Sequence, residues 1–136
     1  MILVLKNCAL KNITREIILE LIHKNENVLV STHSRLSLPI IERIYKKMLA
    51  NLKIPPIKVS ENFICDGHHR YVASILANYN LDRISWVSPS STIIIDWDKV
   101  SFDDSDWDTT EEIGFHNRQD AAYNNLPVEE IVALLK

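Results

Sequence analysis

Apolar positions along this chain come in short blocks, and their spacing alternates between the strand period of two and the helix period of three to four. "MILVLKN", residues 1–7, predicts a short strand. Thr14 predicts an N-cap for a helix running through Ile22, with Ile17, Ile18, Leu21 and Ile22 on its inner face. "NVLVST", residues 27–32, reads as a buried strand. "HSRLSLPIIERIYKKML" opens as a loop, then offers Ser37 as an N-cap and Pro39 in a first turn. Ile40, Ile41, Ile44 and Met48 or Leu49 follow at helical spacing, which turns Glu42, Arg43, Lys46 and Lys47 to water.

"IPP", residues 54–56, stops that helix, and "IKVSENFICD" predicts a hairpin. Its strands cover 57–60 and 63–65, with the turn at Glu61 and Asn62. Asp66 and Gly67 end the second strand. A helix begins at His68 or His69 and runs to about Asn78, with Val72, Ala73, Ile75 and Leu76 inward. "RISWVSP" and "STIIIDW" are two more strand candidates. "DWDKVSFDDSDWDTTEE", residues 96–112, reads as an exposed acidic arm or loop, and "FHNRQDAAYNN" as a short helix. Pro127 stands near the start of a last helix, with Glu129 and Glu130 in its first turn. The pattern predicts an α/β (α+β) fold in one domain: a small mixed sheet with packed helices, a core over about 27–95, the arm, and a C-terminal helix over about 127–135.

A chain of 136 residues, 46% apolar, suffices for one modest core. No apolar run approaches the ~18 residues of a membrane span, and no basic segment precedes the first apolar stretch. Cys8 and Cys65 are far apart with no CxxC spacing, the pattern of two buried thiols in a cytoplasmic protein. The net charge of −3 hides an asymmetry. Residues 1–95 carry 12 Lys/Arg against 7 Asp/Glu; residues 96–136 carry 3 against 11. The first part can attract an anion, whereas a DNA-coating protein would be basic overall.

The chemistry concentrates in "FICDGHHRYVASIL", residues 63–76, which holds one of the two glycines. A strand, a glycine turn and a helix start make an anion site, because the first helical N–H groups lack partners and the macrodipole adds about half a positive charge there. Gly67 permits close approach and a positive φ. Arg70 can fork two phosphate oxygens, and His68 and His69 add donors able to move a proton. Asp66 can orient a histidine, bind Mg²⁺ or accept a hydroxyl proton.

Adjacent histidines on a helix diverge by ~100°, so His68 and His69, even with His116 and Asp66, suit one transition metal poorly. Mg²⁺ held by Asp66 and one carboxylate of the acidic arm fits better. Within "FHNRQD", His116 could reach the same cleft with Asn117 and Arg118. Acids alternate with Trp97, Phe102 and Trp107 in the arm, a surface that could mimic nucleic acid, dock on a basic protein partner or fold over a neighbouring groove. No GxxxxGK[ST], GxSxG or EF-hand pattern occurs.

Gly67, His68, His69 and Arg70, with the small Ala73 three places on, resemble the Gly-x-x-Arg helix start of the ParB/sulfiredoxin-like superfamily. The Asp-Gly-His-x-Arg form looks most like its free-serine-kinase branch, which uses ADP or ATP. The resemblance covers roughly residues 27–95. It implies nucleotide phosphates over the motif helix, held by residues 67–70, with Arg35 in "STHSRLS" as a second phosphate contact beside His33 and Ser34. His68 stands where a sulfiredoxin has its catalytic cysteine, and Cys65 falls three residues early, so sulfinic-acid reduction is not expected. The expected ligand is a nucleotide (ATP, ADP or CTP) with Mg²⁺. The expected activity is phosphoryl transfer or nucleotide hydrolysis, with Asp66, His68 and His69 as catalytic groups. The alternatives are a ParB-like nuclease, which the acidic segment disfavours, and a non-catalytic nucleotide- or partner-binding module.

Overall fold

The computed structural model describes residues 12–136, so the strand expected over 1–7 and Cys8 lie outside the described residues. Thr14 accepts a hydrogen bond from the Ile17 N–H and caps α1 (Arg15–His23), which buries Ile18 and Ile22. The chain then runs through β1 (Arg35–Ser37), α2 (Leu38–Leu49), β2 (Ile57–Ser60), β3 (Phe63–Asp66), α3 (His68–Ala77) and β4 (Arg83–Ser85). A 3₁₀ turn (Trp97–Lys99), β5 (Ser101–Asp103), α4 (Thr110–Tyr123) and α5 (Val128–Leu134) complete it.

This is an α+β architecture with two small sheets. One has the order β3-β2-β4: β2 and β3 form the expected hairpin, with a bulge between Lys58 and Val59, and β4 lies parallel to β2. The other is a parallel pair of β1 and β5, with Arg35 opposite Ser101 and Ser37 opposite Asp103. Helices α2 and α3 pack side by side, and Ile41, Met48, Ile57, Ile64, Val72 and Val100 are fully buried between the layers.

Several expectations need correction. "NVLVST" is not a strand: only Val30 and Ser31 make bridges, to Phe63 and Ile95. Val30 and Ser31 make backbone hydrogen bonds to Asn62, Ile64 and Ile95, and side chains hold the residues on either side. The Leu29 N–H donates to the Tyr71 hydroxyl, the Trp97 indole N–H donates to the Leu29 carbonyl, and the Thr32 N–H donates to His68 Nε2. "STIIIDW" contributes only the Ile95 bridge, and "RISWVSP" only the short β4. The helix expected in "FHNRQDAAYNN" starts earlier, at Thr110, because Thr109 and Glu112 form a capping box.

The acidic segment is exposed along much of its length, yet it is no free arm. The Ser37 hydroxyl donates to the Ser105 carbonyl at 2.9 Å, and Arg43 grips both Asp106 and Asp108. Arg43 and Lys47 therefore do not face water as the helical pattern predicts. Lys47 is buried, with its Nζ 2.6 Å from Asp120 on α4. A pattern read along one helix cannot register carboxylates brought to its polar face from distant sequence.

Candidate functional site

Gly67 takes φ +101, a left-handed conformation that lets β3 turn abruptly into α3. A Cβ there would stand 2.4 Å from Ile57 Cγ2, so packing as well as backbone geometry demands glycine. The turn leaves the amides of His68, His69 and Arg70 at the open end of a ten-residue helix, with no acceptor among the described residues.

His68 is 2% exposed. Its Nε2 accepts the Thr32 N–H at 3.0 Å and lies 3.1 Å from Thr32 Oγ1, whose own proton goes to the Ile64 carbonyl. Nε2 is thus an acceptor, and the ring proton sits on Nδ1, which has no partner among the described residues. The His33 ring stacks on His68 at 3.8 Å. Burial, with smaller contributions from His33 and His69, pushes the His68 pKa down to about 3.

His69 repeats the arrangement. Its Nε2 accepts the Ser37 N–H at 3.0 Å, and its pKa falls to about 4, chiefly through burial and then through His33. At neutral pH both rings are uncharged, with the ring proton on Nδ1. Their role is hydrogen bonding rather than positive charge.

Arg70 Nη1 donates to the Pro55 and Pro56 carbonyls at 3.1 and 2.8 Å, and Nη2 reaches Asp66 Oδ2 at 3.4 Å. The guanidinium thereby ties the "IPP" turn to the end of β3 and holds its charge beside the helix start. Asp66 projects into solvent, its side chain 61% exposed. Arg35 is placed differently from the expectation: it pairs with Asp103, lies 6.0 Å over the Trp107 ring, and does not line the cavity described next.

That cavity, about 570 Å³, opens at the start of α3. Gly67, His68, His69 and Arg70 line it together with the aliphatic Ile40, Ile44 and Ile54, with Trp107, His116 and Gln119, and with the carboxylates of Asp66, Asp108 and Asp120. Arg43 and Lys47 also border it, but their charges are matched by Asp106, Asp108 and Asp120. The Arg43 hydrogen bond holds the Asp106 carboxyl below the usual carboxylate range. His116 is half exposed, its Nε2 3.9 Å from Asp108. Its neighbour Asn117 is buried, with Oδ1 unpartnered among the described residues. A second cavity of about 460 Å³ lies toward the other end of α3, by Asn78, Tyr79 and Arg83.

Asp66, Gly67, His68, His69 and Arg70 are thus brought to one cavity, and Arg35 is not. Sequence reasoning missed Gln119 as a cavity residue and gave Trp107 only as part of an arm that could fold over a neighbouring groove. The signal for Trp107 was its run of flanking acids, which serve as anchors for its loop. Among the described residues, no group of three or more His, Cys, Asp or Glu is placed to hold a metal ion. No helix among them is long and apolar enough to cross a membrane. No protein-family model matches the chain, and no curated protein or solved structure matches it either.

Proposed function

We propose that the cavity at the start of α3 binds the phosphates of a nucleotide, ATP, ADP or CTP, and that the protein carries out phosphoryl transfer or nucleotide hydrolysis there. One observation carries this reading: three open helix amides and the Arg70 guanidinium border a cavity that is also lined by aliphatic residues. Phosphate oxygens suit the first part, and a larger organic group suits the second. The volume lies within the range of small-molecule sites. The resemblance of residues 67–70 to the ParB/sulfiredoxin-like superfamily supports the same reading.

In this arrangement the amides of His68, His69 and Arg70 receive phosphate oxygens, and Arg70 offsets their charge. Neutral His69 supplies a donor through Nδ1, while the Nε2 atoms of His68 and His69 fix the Thr32 and Ser37 segments. Asp66 is the exposed carboxylate beside the turn, placed to accept a hydroxyl proton as general base. A single carboxylate plus phosphate oxygens is also a normal Mg²⁺ environment, and a bound Mg²⁺ would neutralise phosphate charge. Phosphoryl transfer relies on positioning and charge neutralisation, so these groups suffice in kind. A nucleotide ligand and the free Cys65 thiol fit a cytoplasmic setting.

A second reading, a nucleotide-binding module without turnover, is favoured by one observation. Both motif histidines have an Nε2 committed to a backbone amide. Calorimetry with the three nucleotides, followed by product assays with Mg²⁺, separates the readings. Product formation that disappears in Asp66→Asn while binding persists supports the enzyme. Binding without product supports the module, and absence of binding removes both.

A further inference from the structure

We propose that Trp107 is a stacking platform for the base of the ligand, so that a nucleotide and not a base-free phosphate is the ligand class of this cavity. This deepens the reading of the α3 start as a phosphate site and rests on it.

Trp107 lines the cavity and is 42% exposed. An exposed indole on a loop would ordinarily be mobile, but this one is fixed from several sides. Its Nε1–H donates to Asp103 Oδ2 at 3.0 Å. The His69 ring meets it edge-on, with centroids 5.5 Å apart. Its backbone N–H lies 3.4 Å from Ser37 Oγ, and Arg43 holds Asp106 and Asp108 on either side of it. The acids that give this segment its charge are thus the anchors of one aromatic side chain. Arg35 lies 6.0 Å over the indole and does not line the cavity, whereas the indole does and keeps 42% of its residue surface exposed.

These contacts reduce the entropy loss that ordering a free tryptophan would impose on binding. A half-exposed, rigid, polarisable face beside aliphatic Ile40 and Ile44 matches a planar heterocycle better than a sugar or a bare phosphate. Gln119 lines the same cavity with a carboxamide that has no hydrogen bond to another described side chain, and it offers a donor and an acceptor to a base edge. The contact between His69 and Trp107 places the aromatic surface next to the phosphate end, within reach of one molecule.

The test compares ATP with tripolyphosphate, which has the phosphates and no base, by calorimetry on the wild type, Trp107→Leu and Trp107→Tyr. The wild type is expected to bind ATP more tightly than tripolyphosphate. Trp107→Leu should weaken ATP binding roughly 10- to 100-fold and leave tripolyphosphate unchanged, whereas Trp107→Tyr keeps most of the ATP affinity. Unchanged ATP affinity in Trp107→Leu, or equal weakening of both ligands, overturns the stacking role while the phosphate site stands. If neither ligand binds the wild type, the phosphate site itself fails and the stacking role with it. Should Trp107→Leu not fold, indole emission decides: ATP, not tripolyphosphate, quenches it in the wild type, and the difference vanishes in Trp107→Tyr. Equal quenching by the two ligands overturns the proposal.

Discussion

The Nε2 atom of His68 accepts the backbone N–H of Thr32 at 3.0 Å, across 36 residues of sequence. This bond makes the first residue of α3 an anchor for the segment that precedes β1. Replacing the ring removes an acceptor from a partly buried amide and the stacking partner of His33. His68→Ala should therefore destabilise the fold by roughly 2–4 kcal/mol in urea titration, the sum of a lost buried hydrogen bond and a cavity.

Acid should undo the same anchor. His68 and His69 have folded pKa values of about 3 and 4, below the ~6.5 of an unfolded histidine. The unfolded chain therefore binds more protons between these limits, and stability falls as pH falls. The contribution is complete above pH ~6.5 and declines toward pH 4, by about 1.4 kcal/mol per pH unit for each ring involved. Thermal melts across pH 4–7 check this, and the slope should shrink in His69→Gln.

Local signals made much of this fold legible in the sequence. The Thr14 cap, the 57–66 hairpin, the Gly67 turn and the apolar faces of α2 and α3 are each set within a few residues. The failures share a cause, which is distance along the chain. Arg43 meets Asp106 63 residues away, and Lys47 meets Asp120 73 residues away, so a charged helix face that reads as solvated is an interface. The 27–32 segment looks like a strand because it is apolar, but only Val30 and Ser31 pair with backbone, while Leu29 and Thr32 are held by the side chains of Tyr71, Trp97 and His68. The Thr109–Glu112 capping box lay in plain view within residues dominated by their charge.

Gly67 is expected to tolerate no side chain. Gly67→Ala combines a left-handed φ with a Cβ 2.4 Å from Ile57, deep in the core. A loss of roughly 2–4 kcal/mol is expected, read as a lower midpoint in thermal or urea unfolding.

The Lys47–Asp120 pair joins α2 to α4 with both side chains largely out of water. Lys47→Met leaves a carboxylate without its cation and should cost roughly 2–4 kcal/mol. Adding Asp120→Leu removes the stranded charge, so the double variant should recover most of that loss. A double-mutant cycle measures the coupling, and additive losses would show that the pair does not bind α4 to α2.

Amide shifts in a ¹⁵N–¹H spectrum during titration with ADP observe the start of α3 atom by atom. If phosphates sit on the open helix end, the largest changes fall on the amides of residues 67–70 and are attenuated in Arg70→Ala. Saturating ADP that leaves those four amides unmoved, or that shifts only residues around Asn78 and Arg83, would place any nucleotide elsewhere and contradict the site.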